Sequence, residues 1–165
     1  MKEYILFSIC KLADLIFKKW LPGGLPVLLY HRISEENNPI AVSPERFREQ
    51  MEYLSGQGYK TVTPGEITGN RALNGKIMVT FDDGWRDNLA VAAPILKQLD
   101  FAGIIFIATD YIGRTGSFAE NIGNKKAPML NGREIAELEN SGWTIANHFA
   151  SHQNLTEMDE KTISA

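Results

Sequence analysis

The strongest constraint on the fold is a regular alternation of short apolar segments with helix-like segments after residue 25. The apolar segments cover 26–33, 60–63, 76–81, 102–109 and 143–147. Between them lie stretches with helical periodicity, and this alternation is typical of parallel strands joined by crossover helices. The segment 102–109 is almost continuously apolar, as expected for a strand that is buried on both faces. We therefore predict an α/β fold with a parallel sheet at its centre.

Local signals place the helices between these strands. Ser43 followed by Pro44 is a typical helix start, and Phe47, Met51 and Leu54 share one face of the helix that it opens. A second helix is predicted over 88–99, where Pro94 should kink or shorten it. A third is predicted over 131–141. The segment 111–128 lacks periodicity and is predicted to be an exposed loop that can reach toward a site.

The first 25 residues form a segment of their own. Apolar side chains recur there at helical spacing, and Pro22 with two glycines follows, which predicts an amphipathic helix over 1–25. Charged residues interrupt the apolar run too early for a signal peptide or a bilayer span of about 20 residues. The helix can dock on its own domain, or make peripheral membrane contact through residues 4–20. We accordingly expect a cytoplasmic or membrane-associated location.

Composition and charge limit the classes of ligand. The 165 residues suit one domain, which we place over 26–165, and a net charge of −3 argues against nucleic acid as a partner. Cys10 is the only cysteine, so a disulfide within the chain and a thiolate metal cluster are both excluded. Any metal ion must be bound by His, Asp or Glu side chains.

Two adjacent carboxylates follow the predicted strand 76–81. Neighbouring side chains at a strand end point in different directions, so Asp82 and Asp83 are expected to have different roles, one as a metal ligand and the other as a base. Alternatively, the pair caps the helix that begins near Asn88. A further alternative is an open, doubly wound signalling domain, which would use Asp82 and Asp83 to bind magnesium.

The histidines supply the second half of the pattern. His148 and His152 are four residues apart just after a predicted strand, and a helical or turn-like segment would let both bind one ion. His31 also follows a predicted strand, and the carboxyl ends of the strands are where α/β folds place their sites. His31 either lines the pocket or binds the local backbone. The histidine pair favours a metal site over the capping and magnesium interpretations.

Two segments resemble the motifs of the polysaccharide deacetylase family. Its first motif is similar to Thr80-Phe81-Asp82-Asp83-Gly84-Trp85-Arg86-Asp87-Asn88, and its second, His-(Ser/Thr)-x-x-His, to His148-Phe149-Ala150-Ser151-His152. The likeness extends over most of 26–157. It implies an incomplete (β/α) barrel in which Asp82 is the catalytic base and Asp83, His148 and His152 bind a divalent metal. Zinc is the expected ion, with cobalt, manganese and nickel as alternatives.

The resemblance also implies a reaction. The chain would be a hydrolase that removes acetyl groups from N-acetylated or O-acetylated carbohydrate, with a metal-activated water attacking the acetyl carbonyl. The substrate would be the main partner, and His31, Asp87 and Asn88 are expected to line the site. Phe149 stands where the family usually has Ser or Thr, a change that we expect to tune the surroundings of the metal ligands.

The end of the chain leads to a further expectation. A helix start is predicted at 156–159, and the family's later motifs, including a histidine that serves as general acid, would lie beyond Ala165. We therefore expect only the N-terminal portion of the domain, truncated at its C-terminus, and a homo-oligomer could cover the open strand edge. The alternative function is a catalytically impaired fragment that binds metal or a partner.

Overall fold

The computed structural model describes residues 24–68, 73–116 and 126–152. These residues form nine strands and four α-helices, with a π-helical turn at Asn88–Ala92 and a 3-10 turn at Thr109–Tyr111. In chain order the elements are β1 (Val27–Tyr30), β2 (Arg32–Ile33), β3 (Ala41–Val42), α1 (Pro44–Gly56), β4 (Lys60–Thr61), α2 (Pro64–Ile67), β5 (Lys76–Phe81), α3 (Ala93–Gln98), β6 (Ile104–Ile107), β7 (Thr115–Gly116), β8 (Ala127–Pro128), α4 (Gly132–Asn140) and β9 (Thr144–Asn147).

One parallel sheet organises the domain. Its strands lie in the order β1-β5-β6-β9, and β4 pairs with the beginning of β5. Along this four-strand path the chain order does not reverse, as expected for right-handed crossovers in an arc of a barrel. Within the described residues the sheet does not close. The predicted fold, an incomplete (β/α) barrel with parallel strands and crossover helices, is confirmed.

The core lies between the sheet and its helices. Ser43 caps α1 by accepting the backbone N–H of Arg46 at 3.3 Å, and this helix buries Phe47 and Met51. An aromatic cluster joins helix and sheet, and its members are Tyr30, Phe47, Phe81 and Trp143. On the other face of β1, Val27 and Leu29 are each 58% exposed. Burial of only one face of β1 is consistent with a sheet that forms part of a barrel and does not close.

Several predicted elements have different limits in the structure. The strand predicted over 26–33 breaks at His31, and its second part, β2, pairs with β3 instead of the main sheet. The strand predicted over 102–109 is reduced to β6. Within the predicted loop 111–128, β7 and β8 pair in an antiparallel ribbon. Gly116 and Ala127 of that ribbon are buried, so these two described positions are less exposed than predicted.

The helix around Pro94 also departs from expectation. The backbone N–H of Ala93 donates to the carbonyl of Asn88, one residue further back than in an α-helix. Pro94 then lies in the first turn of α3, where its missing N–H costs little. The wider π-helical turn therefore lets the helix continue past the proline.

Two predictions fall outside the described residues. The N-terminal helix predicted over 1–25 lies there apart from its last two residues, and so does the helix start at 156–159. Among the described residues, no helix combines the length and the apolar character needed to cross a membrane.

Candidate metal centre

The candidate site lies at the carboxyl ends of the parallel strands. Asp82 and Asp83 follow β5, His148 follows β9 and His31 follows β1. Because β1, β5 and β9 belong to one parallel sheet, their carboxyl ends reach the same edge. The fold thus brings together side chains that are up to 117 residues apart, from His31 to His148.

The turn after β5 has an unusual backbone. Asp83 and Gly84 have φ angles of 76° and 89°, in the left-handed region that aspartate tolerates better than most residues. The turn is held in place, because the carbonyl of Asp83 accepts the N–H of Ala108 at 3.2 Å and that of Gly84 accepts the N–H of Leu130 at 2.9 Å. The side chain of Asp83 is directed inward and is 1% exposed.

The loop that carries the two histidines is also tied down. The backbone N–H of His148 donates to Ile107, while Thr109 and Asp110 donate to the carbonyls of Phe149 and Ala150, at 2.9 to 3.1 Å. Phe149 and His152 have φ angles of 59° and 55°. Strained backbone of this kind clusters at functional sites, where the surrounding structure must hold it.

Three side chains converge in a metal-binding arrangement. Oδ1 of Asp83 lies 2.9 Å from Nε2 of His152 and 3.5 Å from Nε2 of His148. One candidate ligand atom from each of the three residues lies within 4.8 Å of the others. Tetrahedral zinc with bonds of about 2.0–2.1 Å separates its ligand atoms by about 3.4 Å. The donor set, two imidazoles and one carboxylate, therefore fits a divalent transition metal.

Burial and hydrogen bonding oppose each other at the carboxylates. Burial by itself raises the pKa of Asp83, but hydrogen bonds from His152 and Trp85 outweigh it, so the net pKa is lowered. The hydrogen bond to Asp83 raises the pKa of His152. At Asp82, burial prevails over the nearby histidines, and the pKa is raised. Two neighbouring carboxylates thus have pKa values shifted in opposite directions.

Asp82 and His31 lie close to this group. The charge of His31 acts on both Asp82 and Asp83, and Asp82 also interacts electrostatically with His148 and His152. Asp82 and His31 are partly exposed, whereas Asp83 is buried. A substrate group approaching from solvent would therefore reach Asp82 and His31 without displacing Asp83.

Asp87 and Asn88 contact the backbone segment that begins at His31. Asp87 forms an ion pair with Arg32 at 3.0 Å and accepts the backbone N–H of Ile33 at 3.2 Å. Asn88 is fully buried and donates to the carbonyl of His31 at 2.9 Å. These contacts are with the segment 31–33, so both residues support the backbone around His31.

Trp85 is a site residue that the sequence did not reveal. Its Nε1–H donates to Oδ2 of Asp83 at 2.9 Å, and Arg32 lies over its ring with Cζ 5.1 Å from the centroid. This contact depends on the left-handed backbone of Asp83 and Gly84. A pattern of apolar residues does not predict that geometry.

Fold and site together define an α/β domain of the barrel type with an Asp-His-His group that can hold a divalent metal. Comparison with known proteins gives the family. The polysaccharide deacetylase family matches over residues 69–165, which include both motifs. The chain belongs to the polysaccharide deacetylase family.

Individual relatives agree with this assignment. A Bacillus subtilis (strain 168) protein named "Putative polysaccharide deacetylase YxkH" is 33% identical over 139 residues, which cover 81% of this chain and 45% of that protein. The crystal structure of BC0361, a polysaccharide deacetylase from Bacillus cereus, is 29% identical with a TM-score of 0.67, covering 82% of this chain and 42% of that one. IcaB from Ammonifex degensii is also 29% identical, with a TM-score of 0.68 and coverages of 85% and 57%. The chain thus spans about half the length of these relatives.

Proposed function

We propose that this domain is part of a metal-dependent hydrolase that removes acetyl groups from N-acetylated or O-acetylated carbohydrate. Family membership supports the reaction class. The observation that carries the proposal is the convergence of Asp83, His148 and His152 on one point beside Asp82. Three ligands leave coordination positions open, which is the arrangement of catalytic rather than structural zinc sites.

Asp83, His148 and His152 would hold the ion, with zinc as the expected metal and cobalt, manganese or nickel as alternatives. A divalent ion in this position supplies Lewis acidity toward water and toward the acetyl carbonyl oxygen. The lowered pKa of Asp83 keeps its carboxylate charged and ready to bind a cation near neutral pH. Backbone hydrogen bonds at residues 148–150 hold the start of the histidine loop, and the 2.9 Å contact with Asp83 orients the imidazole of His152 before an ion arrives.

Asp82 would act as the general base. It is adjacent to the ligand Asp83 but outside the three-residue group, so its carboxylate is available to accept a proton from the attacking water. Burial raises its pKa, which makes it a stronger base than an exposed aspartate. This assignment gives the two adjacent carboxylates separate roles.

His31 would act as the general acid. It lies near Asp82 and Asp83, and it is the one histidine of the chain outside the ligand group. Asn88 donates to its carbonyl and Asp87 accepts the N–H of Ile33, so the backbone at and after His31 is held in place. A protonated imidazole there can donate to the departing nitrogen or oxygen of the sugar. The alternative is a general acid supplied by residues after 165.

The magnesium signalling domain is a weaker candidate. Doubly wound sheets reverse their strand order at the site, whereas β1, β5, β6 and β9 follow one another without reversal. Imidazole also favours transition metals over magnesium. A catalytically impaired fragment that binds metal or a partner remains the second candidate, and acetate release distinguishes it from the enzyme.

The proposal is tested by measuring zinc binding and acetate release on the same preparations. We expect one zinc per chain, and at 100 times its dissociation constant zinc should raise the free energy of unfolding by about 2.7 kcal/mol. Asp83→Asn should abolish both effects, while Asp100→Asn, at a side chain that is 96% exposed, should change neither. Zinc binding without acetate release from any N- or O-acetylated sugar would support the impaired fragment, and absence of zinc binding would refute the proposal.

Three further predictions stay proposals. The peripheral membrane contact through residues 4–20 would depend on the amphipathic segment that precedes β1. A homo-oligomer would cover the open edge of the sheet at β1 or β9. The expected location, cytoplasmic or membrane-associated, depends on the same N-terminal segment.

A further inference from the structure

The two oxygens of Asp83 have different neighbours. Oδ1 faces Nε2 of His148 and of His152, at 3.5 and 2.9 Å. Oδ2 accepts the indole N–H of Trp85 at 2.9 Å, and this hydrogen bond is fully buried. One oxygen is therefore directed at the candidate metal position, and the other is anchored to the protein.

The indole that forms this anchor is itself immobilised. Trp85 is completely buried and packs with Ala127 and Met129 in a small second core, and its backbone pairs with that of Met129. Gly116 lies directly against its ring, since a Cβ at this position would come within 2.6 Å of two ring atoms. Such close packing leaves the indole one orientation.

A charged residue lies over the face of the same indole ring. Cζ of Arg32 lies 5.1 Å from the centroid of the Trp85 ring, within the range of a cation–π interaction. Arg32 is 5% exposed and is paired with Asp87 at 3.0 Å and with Glu36 at 2.8 Å. The chain of contacts from Asp83 through Trp85 to Arg32 thus ends in two carboxylates that hold the guanidinium in place.

We propose that Trp85 is a positioning residue that determines the metal affinity of the site. The terminal torsion of an aspartate is broad and roughly two-fold, so a buried carboxylate needs a partner to fix its rotation. The hydrogen bond from Trp85 fixes the rotation of the Asp83 carboxylate, with Oδ1 directed toward the two histidines. The proposal rests on the metal-binding role assigned above to Asp83, and it adds a residue that does not touch the ion.

Loss of this hydrogen bond has a defined consequence. Without the indole N–H, the carboxylate can rotate and present both oxygens or neither to the ion. Removing a partner that orients a metal ligand typically weakens metal binding about 10- to 100-fold. We expect Trp85→Phe to raise the zinc dissociation constant by that factor. The visible spectrum of the cobalt-loaded protein should change as well, because the coordination number of the ion would change.

A matched control separates positioning from general loss of packing. Trp143→Phe makes the same chemical change at another buried tryptophan, which packs against Phe81 with 5.1 Å between ring centroids. The dissociation constant is measured by competition with a chromophoric chelator, and folding of each metal-free variant is checked by urea denaturation. Trp143→Phe should keep the wild-type zinc affinity and cobalt spectrum even if it lowers the free energy of unfolding.

The outcomes distinguish this proposal from the function on which it rests. Wild-type protein that binds no zinc refutes the metal site itself. Wild-type binding with an equal affinity and cobalt spectrum in folded Trp85→Phe refutes the positioning role alone. If Trp85→Phe does not fold, 3-benzothienylalanine at position 85, which keeps the ring shape and lacks the N–H, decides between the same two results.

Discussion

Nε2 of His152 lies 2.9 Å from Oδ1 of Asp83, and this contact couples the protonation of the two side chains electrostatically. The hydrogen bond raises the pKa of His152. It also contributes to lowering the pKa of Asp83, against the opposing effect of burial. In metal-free protein the pair is therefore an ion pair over part of the pH range.

This coupling predicts how the stability of the metal-free protein depends on pH. The pKa of His152 is above its unfolded value of about 6.5, so its contribution is complete below that pH and is lost as the pH rises through the folded pKa. The pKa of Asp83 is below its unfolded value of about 3.9, so its contribution is present above that pH and is lost as the pH falls through the folded pKa. The stabilisation from the pair should be greatest between about pH 4 and pH 6.5.

Urea denaturation in the presence of a chelator tests this. The free energy of unfolding should fall between pH 6 and pH 8 in the wild-type protein. In Asp83→Asn the fall should be smaller, because His152 loses the partner that raises its pKa. Parallel curves for the two proteins over this range would contradict the coupling.

Asp82→Asn should separate catalysis from metal binding. Asparagine is nearly isosteric with aspartate but cannot accept the proton from water, and loss of a general base lowers kcat about 100- to 10,000-fold. Asp82 is outside the ligand group, so the zinc dissociation constant should stay nearly unchanged. Zinc binding is measured by chelator competition and kcat by acetate release. A loss of zinc binding equal to that of Asp83→Asn would show that Asp82 is a ligand.

His31→Gln should impair the step in which the sugar departs. Glutamine preserves polarity but cannot donate a proton as an acid, and the loss of such a group costs about 100-fold or more in rate. The effect should be large for an N-acetyl sugar and small for 4-nitrophenyl acetate, whose leaving group needs no proton. His148→Gln is the control, since it should reduce zinc binding and both reactions. Equal rates for His31→Gln and wild type on the N-acetyl sugar would favour a general acid from residues after 165.

Much of the fold follows from local signals in the sequence. The strand at 76–81 has the predicted limits because Ile77, Val79 and Phe81 alternate and all face the core. Asn131 was predicted as the start of a helix and caps α4, accepting two backbone N–H groups. In contrast, three of the four residues that pair β7 with β8, Gly116, Ala127 and Pro128, have low strand propensity. Gly116 and Ala127 of this ribbon pack against Trp85, which is distant in sequence.

The site was predictable to a similar degree. The positions of Asp83, His148 and His152 at one sheet edge follow from the rule that parallel strands share their carboxyl ends. The contact of Trp85 with Asp83 was not predictable, because it requires positive φ angles at Asp83 and Gly84. Asp87 and Asn88 were expected to line the site, and their contacts with Arg32 and His31 depend on tertiary structure.

Gly103→Ala should destabilise the domain through a single contact. A Cβ at position 103 would lie 2.6 Å from Cζ3 and 2.8 Å from Cε3 of Trp143, closer than van der Waals contact allows. Trp143 is buried against Phe81, so the ring cannot move away freely. Overpacking of this kind typically costs about 1–3 kcal/mol. Urea denaturation should show that loss, whereas Gly56→Ala, where a Cβ meets nothing within 4 Å, should leave stability nearly unchanged or slightly raised.

A double variant of Gly103 and Trp143 tests whether their contact causes the loss of stability. Trp143→Phe removes the ring atoms that the new Cβ would meet, so Gly103→Ala should cost less in the Trp143→Phe background than in the wild-type protein. Residues in contact commonly show coupling energies of about 0.5–3 kcal/mol in such a cycle. Strictly additive losses would instead assign the effect of Gly103→Ala to the backbone at the start of β6. In that case the packing of Trp143 on Gly103 would not be what limits side-chain size at this position.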